Sequence, residues 1–193
     1  MGAAPSIPLI SLKQPTAMNQ ARIIMLGLNG AGKTTVLYRL KLNETIATLP
    51  TAGFSVEKID HKGTSYILWE IPGQANFSIS SDYLGNKDGV IVVVDSTDES
   101  QFATTKENMD RYLANEDLKG CPLLVLANKQ DLPNAADVHI ITSKLDLMSR
   151  RNNECFVSPC SAVTGDGLFE GLEWMGNTLQ RLGRLKTIAS DEE

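Results

Sequence analysis

The chain has 193 residues and an apolar fraction of 42%, which suits one domain with a proper core. Its net charge of −5 leaves no basic stripe to neutralise phosphates along a strand, which argues against a nucleic-acid partner. The three cysteines, Cys121, Cys155 and Cys160, follow no zinc spacing, and the two histidines, His61 and His139, are isolated. Reduced cytosolic thiols in or near the core are expected, with the histidines in surface or turn positions. No apolar run is long enough to span a bilayer as a helix.

Residues 1–20 differ in character from the rest. Met1-Gly2-Ala3-Ala4-Pro5-Ser6 fits the pattern for N-myristoylation on Gly2; the alternative is a plain disordered N-terminus. Ile7, Leu9, Ile10 and Leu12 follow with few charges, and would either dip into a membrane interface or lie on the domain surface. Pro5, Pro8 and Pro15 argue against one continuous amphipathic helix.

A buried strand is predicted at Arg22-Ile23-Ile24-Met25-Leu26 and a helix over Thr35–Leu40. Between them, Gly27-Leu28-Asn29-Gly30-Ala31-Gly32-Lys33-Thr34 has the form GxxxxGKT, a phosphate-binding loop in the strand–loop–helix setting it requires. Its glycines let successive backbone N–H groups approach phosphate oxygens, and the helix start adds a positive dipole end. Lys33 would reach the β- and γ-phosphates, and the Thr34 hydroxyl would bind Mg²⁺.

The pattern then alternates strand and helix. Ser55–His61 and Thr64–Ile71, joined at Lys62-Gly63, predict an antiparallel hairpin at a sheet edge. The apolar runs Ile23–Leu26, Val90–Val94 and Leu123–Ala127 belong to a parallel sheet covered on both faces by helices. Phe102, Met109, Tyr112 and Leu113 share one helical face. Leu168, Leu172, Met175, Leu179 and Leu182 form a core stripe on a last helix, with Asp166 as its N-cap. The expected division is an N-terminal extension at 1–20, a nucleotide-binding domain at 21–183 and a polar tail at 184–193, frayed over Thr187–Glu193.

Asn128-Lys129-Gln130-Asp131 follows the third apolar run, at a strand end where open α/β sheets bind ligands. An aspartate there accepts from guanine N1–H and the 2-amino group; adenine would leave the same carboxylate unpaired. The Lys129 stem can lie over the base plane. Cys160-Ser161-Ala162, later in the chain, would bring the Ala162 N–H to guanine O6.

These motifs resemble those of a Ras-superfamily small GTPase, and within it the ADP-ribosylation factor and ADP-ribosylation-factor-like family. Gly27–Thr35 resembles that family's phosphate loop, Leu49–Glu57 its switch I, and Trp69-Glu70-Ile71-Pro72-Gly73-Gln74 the start of its switch II. Cys160–Leu168 and Glu170–Trp174 resemble its C-terminal signature, so the likeness spans about residues 20–183.

The resemblance implies a three-layer P-loop α/β fold, with a mostly parallel six-stranded sheet, one antiparallel edge strand and helices on both faces. It implies GTP or GDP and Mg²⁺ at a site of Asn29, Gly30, Ala31, Gly32, Lys33, Thr34, Thr35, Thr51, Gly73, Asn128, Lys129, Asp131, Ser161 and Ala162. Thr34 and Thr51 would ligate the metal, the Gly73 N–H would sense the γ-phosphate, and Gln74 would orient the attacking water. Phe54, Trp69 and Tyr83 would form an aromatic patch read by effectors. In this family the hairpin between the switches slides by a register step with GTP, coupling nucleotide state to the N-terminal segment. The implied protein is a monomeric switch, cytoplasmic and peripherally attached to Golgi or other endomembranes through its N-terminus. It would serve membrane trafficking as a slow GTPase with an exchange factor, an activating protein and effectors.

This chain departs from the family at Glu70 and Asn29, where aspartate is usual, and at Pro72, where glycine is usual. After Gln74 it carries Ala75–Asp82, uncharged until Asp82, in place of a basic and aromatic segment. Two other readings stand beside the switch. One is a GTP-binding scaffold that barely hydrolyses; the other is a small P-loop kinase or ATPase, which Asn128-Lys129-Gln130-Asp131 speaks against.

Overall fold

The computed structural model describes residues 17–42, 55–73 and 84–189. Gly2, Thr51, Phe54, Gln74 and Tyr83 lie outside the described residues. The apolar runs become the interior strands. Every residue of β5 (Leu123–Asn128) is buried, as are the first six of β4 (Gly89–Asp95). Strands apolar on both sides need helices over both faces, and alternate residues divide between the two layers. Ile23, Met25, Ile91, Val93, Leu124 and Leu126 face α1 (Lys33–Leu42) and α4 (Leu168–Arg181). Ile24, Leu26, Val90, Val92 and Val94 face α2 (Phe102–Leu113) and α3 (Val138–Lys144).

β1 (Ala17–Leu26) runs through the middle of the sheet. It pairs in parallel with β3 (Thr64–Glu70) from Asn19↔Thr64 to Met25↔Glu70, and with β4 from Ile23↔Gly89 to Leu26↔Val92. β6 (Cys155–Pro159) adds to β5 in parallel, and β2 (Ser55–His61) closes the other edge antiparallel to β3. The order β2-β3-β1-β4-β5-β6 is the six-stranded sheet expected, with its hairpin at the edge. The hairpin turn is fastened to α4. Glu173 takes both Lys62, at 2.5 Å, and His61, at 3.2 Å, while the His61 ring sits 5.0 Å from that of Phe169.

Four details depart from the expectations. β1 begins at Ala17 rather than Arg22. A seventh strand, β7 (Lys186–Ala189), forms within the segment expected to be a polar tail, overlapping the part expected to fray, and pairs antiparallel with Ala17–Gln20 of β1. The N-cap of α4 is Gly167, in the left-handed region at φ 73°, not Asp166. The Asp166 carboxylate accepts from the Thr164 hydroxyl at 2.7 Å, and its carbonyl accepts the Ser161 N–H at 3.0 Å, so it shapes the preceding loop. Leu182 sits beyond the last turn of α4 and is exposed, whereas Leu168, Leu172, Met175 and Leu179 are buried as the stripe requires.

Candidate nucleotide site

The site lies at the carboxyl ends of β1, β3, β4 and β5, where strand termini release loops whose backbone groups are free to face a ligand. β1 leads into the phosphate loop, and α1 starts at Lys33. Gly32 adopts φ 92°, and a Cβ there would come 2.4 Å from Asn128 Nδ2. Only glycine satisfies both the left-handed backbone and the closeness of the base-side loop. Lys33 is buried, and its ammonium donates to the Leu28 carbonyl at 3.2 Å, across the loop it belongs to. Burial pushes this ammonium below the ordinary lysine range, and the Glu70 carboxylate partly restores it.

Glu70 is 1% exposed. Its Oε1 accepts from the Thr34 hydroxyl at 2.7 Å, while Oε2 has no hydrogen-bond partner. A buried, unpaired carboxylate oxygen beside a hydroxyl is an all-oxygen donor set with an unmet demand for positive charge. The residues present therefore fit Mg²⁺, and among the described residues Thr34 and Glu70 would hold it. The chain past β3 stays close to the loop. Ile71 donates to the Met25 carbonyl at 3.0 Å, Pro72 is buried, and Asn29 donates its N–H to the Gly73 carbonyl at 3.3 Å. A Cβ on Gly73 would lie 2.4 Å from the Asn29 nitrogen, so this approach again requires glycine. Trp69, half-buried on β3, carries the Lys87 ammonium 4.4 Å from its ring centroid.

The base side is built on Asn128, which is 2% exposed. Its Nδ2 donates to the Ala31 carbonyl and its Oδ1 accepts the Ala162 N–H, both at 2.9 Å. One amide thus joins the phosphate loop to the Cys160–Gly165 loop. The Ser161 hydroxyl donates to Asp131 Oδ1 at 2.6 Å, which orients that carboxylate and leaves its second oxygen for a ligand. Lys129 sits at φ 69° with its ammonium 2.5 Å from Asp95 Oδ2. Burial raises the Asp95 carboxyl, but hydrogen bonds from Lys129 and Thr97 outweigh it and hold the group below the usual carboxylate range.

The structure thus brings Asn29, Gly30, Ala31, Gly32, Lys33, Thr34, Thr35, Gly73, Asn128, Lys129, Asp131, Ser161 and Ala162 to one end of the sheet. Asp95 belongs with them through its ion pair with Lys129, although no motif marks it. Its signal is a charge closing the apolar run Val90–Val94 at the carboxyl end of a parallel strand. Cys160 is buried and its thiol is pushed up to about 12, which makes it an inert packing group.

A phosphate loop at the first strand, a buried carboxylate at the third and an Asn128-Lys129-Gln130-Asp131 run at the end of the fifth define a P-loop nucleotide-binding protein. Comparison with known proteins specifies the class. Residues 9–179 match the model of the ADP-ribosylation factor family, and the chain belongs to that family of small GTPases, whose ligand is guanine nucleotide. It is similar to ADP-ribosylation factor J of Dictyostelium discoideum, at 44% identity over 161 residues, covering 83% of this chain and 86% of that one. A solved structure of the Arl6 BBS3 small GTPase from Trypanosoma brucei, with bound nucleotide analogue GppNp, superposes with a TM-score of 0.76. It is 27% identical, covering 84% of this chain and 98% of that chain.

Proposed function

We propose that this protein is a GTP-driven switch whose moving part is the contact between Asn29 and Gly73. The observation that carries the reading is the hydrogen bond from the Asn29 N–H to the Gly73 carbonyl, which ties the start of switch II to the phosphate loop. A γ-phosphate needs that same ground, because the Gly73 N–H is its expected sensor. Adding one phosphate would reorganise the strap, and losing it would let the strap re-form.

Guanine would be read by Asp131 through N1–H and the 2-amino group, with Lys129 along the base plane. Its O6 would compete with Asn128 Oδ1 for the Ala162 N–H. Mg²⁺, held by Thr34, Glu70 and Thr51, would neutralise phosphate charge. Gln74 would orient the attacking water. Intrinsic hydrolysis would be slow, on the order of 10⁻⁴ to 10⁻² s⁻¹, and faster with an activating protein. Exchange factor, effectors and endomembrane attachment through Gly2 complete the proposed cycle.

Single-turnover GTP hydrolysis, combined with recovery of partners on GTP-loaded and GDP-loaded protein, tests the proposal. Slow turnover and a partner set that differs between the two states are expected. Identical partners in both states would end the switch reading, and tight binding without turnover would favour the scaffold.

A further inference from the structure

We infer that Arg39 is a positioning residue for guanine recognition, acting from the phosphate-loop helix on the loop that reads O6. This rests on the reading of the site as a guanine site. Arg39 lies on α1, six residues after Lys33, so about 9 Å further along the helix axis. Its guanidinium reaches out of that helix to the base side. Nε donates to the Ala162 carbonyl at 3.2 Å, and Nη2 donates to the carbonyl of Val163.

Two donors of one rigid fork therefore hold two successive carbonyls, a geometry that lysine cannot reproduce. The stem passes close to Gly165, where a Cβ would lie 3.6 Å from Arg39 Cδ. Ala162 is consequently held at both of its polar groups, its N–H by Asn128 and its carbonyl by Arg39. The direction of that N–H is what guanine O6 must meet. Asn128 competes for the N–H, whereas Arg39 grips only the carbonyl side. The loop therefore stays in place when a base takes the N–H from Asn128.

The consequence is a coupling between the two ends of the nucleotide. α1 moves with the phosphate loop, because its first turn contains Lys33 and Thr34, and Arg39 transmits that position to the O6 reader.

The test compares three nucleotides on the full chain. 6-Thio-GDP keeps the N1–H and 2-amino group but replaces O6 by a weak acceptor. Inosine diphosphate keeps O6 and N1–H but lacks the 2-amino group. Arg39→Ala is expected to lower GDP affinity about tenfold and to abolish the preference for GDP over 6-thio-GDP. The preference for GDP over inosine diphosphate, which depends on Asp131, is expected to persist. Arg39→Lys should give an intermediate loss, and it carries the test if the alanine variant does not fold. A parallel loss of both preferences, or unchanged affinity in the lysine and alanine variants, would overturn the role of Arg39. A wild-type protein with no preference for GDP over either analogue would instead remove the guanine reading itself.

Discussion

At the proposed base end of the site one carboxylate would carry the discrimination, and its surroundings say how. Asp131 spends one oxygen on the Ser161 hydroxyl, so the other is held toward the ligand. Asp131→Asn is expected to weaken GTP binding by at least tenfold and to admit xanthine nucleotides, because an amide reverses the hydrogen-bond polarity at that edge. Competition between GTP and XTP measures it, and unchanged GTP affinity would assign base reading elsewhere. At the phosphate end, Glu70 stretches directly onto Thr34, one methylene further than aspartate would reach. Pro72 is buried next to Gly73 and has no N–H to give. The double change Glu70→Asp with Pro72→Gly is expected to tighten Mg²⁺ binding and to speed intrinsic hydrolysis several-fold. No gain in Mg²⁺ dependence or single-turnover rate would mean that the surrounding side chains already absorb both residues. That the phosphate loop, Asn128 and Ala162 come together was legible because motif spacing encodes it. Arg39 was not, since an arginine on a helix gives no sign of which distant carbonyls it will reach.

Strands were legible where burial on both faces leaves a continuous apolar run, as in β4 and β5. Two elements escaped, the short helix α3 and the strand β7. Lys186-Thr187-Ile188-Ala189 is half polar and four residues long, so it has neither a run nor a full alternation. Its strand character is conferred by the unpaired side of β1 at Ala17–Gln20, a long-range effect that local pattern cannot show. The same partner explains why β1 begins earlier than Arg22: Asn19 pairs with Thr64 on one side and Thr187 on the other. Removing residues 186–193 is expected to cost about 1–2 kcal/mol, from the lost ladder hydrogen bonds. That corresponds to a fall in Tm of about 2–8 °C. GDP affinity should not change, because β7 lies at the opposite end of β1 from the phosphate loop. Thermal melts and nucleotide titration of the truncated chain check both halves, and loss of GDP binding would give β7 a functional role.

Across the whole molecule, β1 is the one element joined to everything the switch would have to connect. It follows the segment that begins at Gly2, pairs with the hairpin strand β3, and ends at the phosphate loop. The hairpin is fastened at its turn by Glu173 and at its open end by the Glu70 contact with Thr34, so a change at the phosphates bears on both. We expect protein made in a eukaryotic host to carry a myristoyl group on Gly2, visible in its intact mass. Because one acyl chain binds membranes only marginally, liposome flotation should increase with a GTP analogue relative to GDP. Equal flotation in the two states would separate membrane attachment from the nucleotide.

The pairing of Ala17 with Ala189 has a practical corollary for protein engineering. Facing residues on adjacent antiparallel strands lie about 5 Å apart, so a linker of a few residues can join them. A circular permutant so closed, and reopened at the exposed turn Arg151-Asn152, would interrupt neither the sheet nor the nucleotide site. It would move both ends of the polypeptide away from the β1–β7 pair. A reporter attached at the new ends would then sit clear of both the nucleotide site and the strand that leads to the phosphate loop.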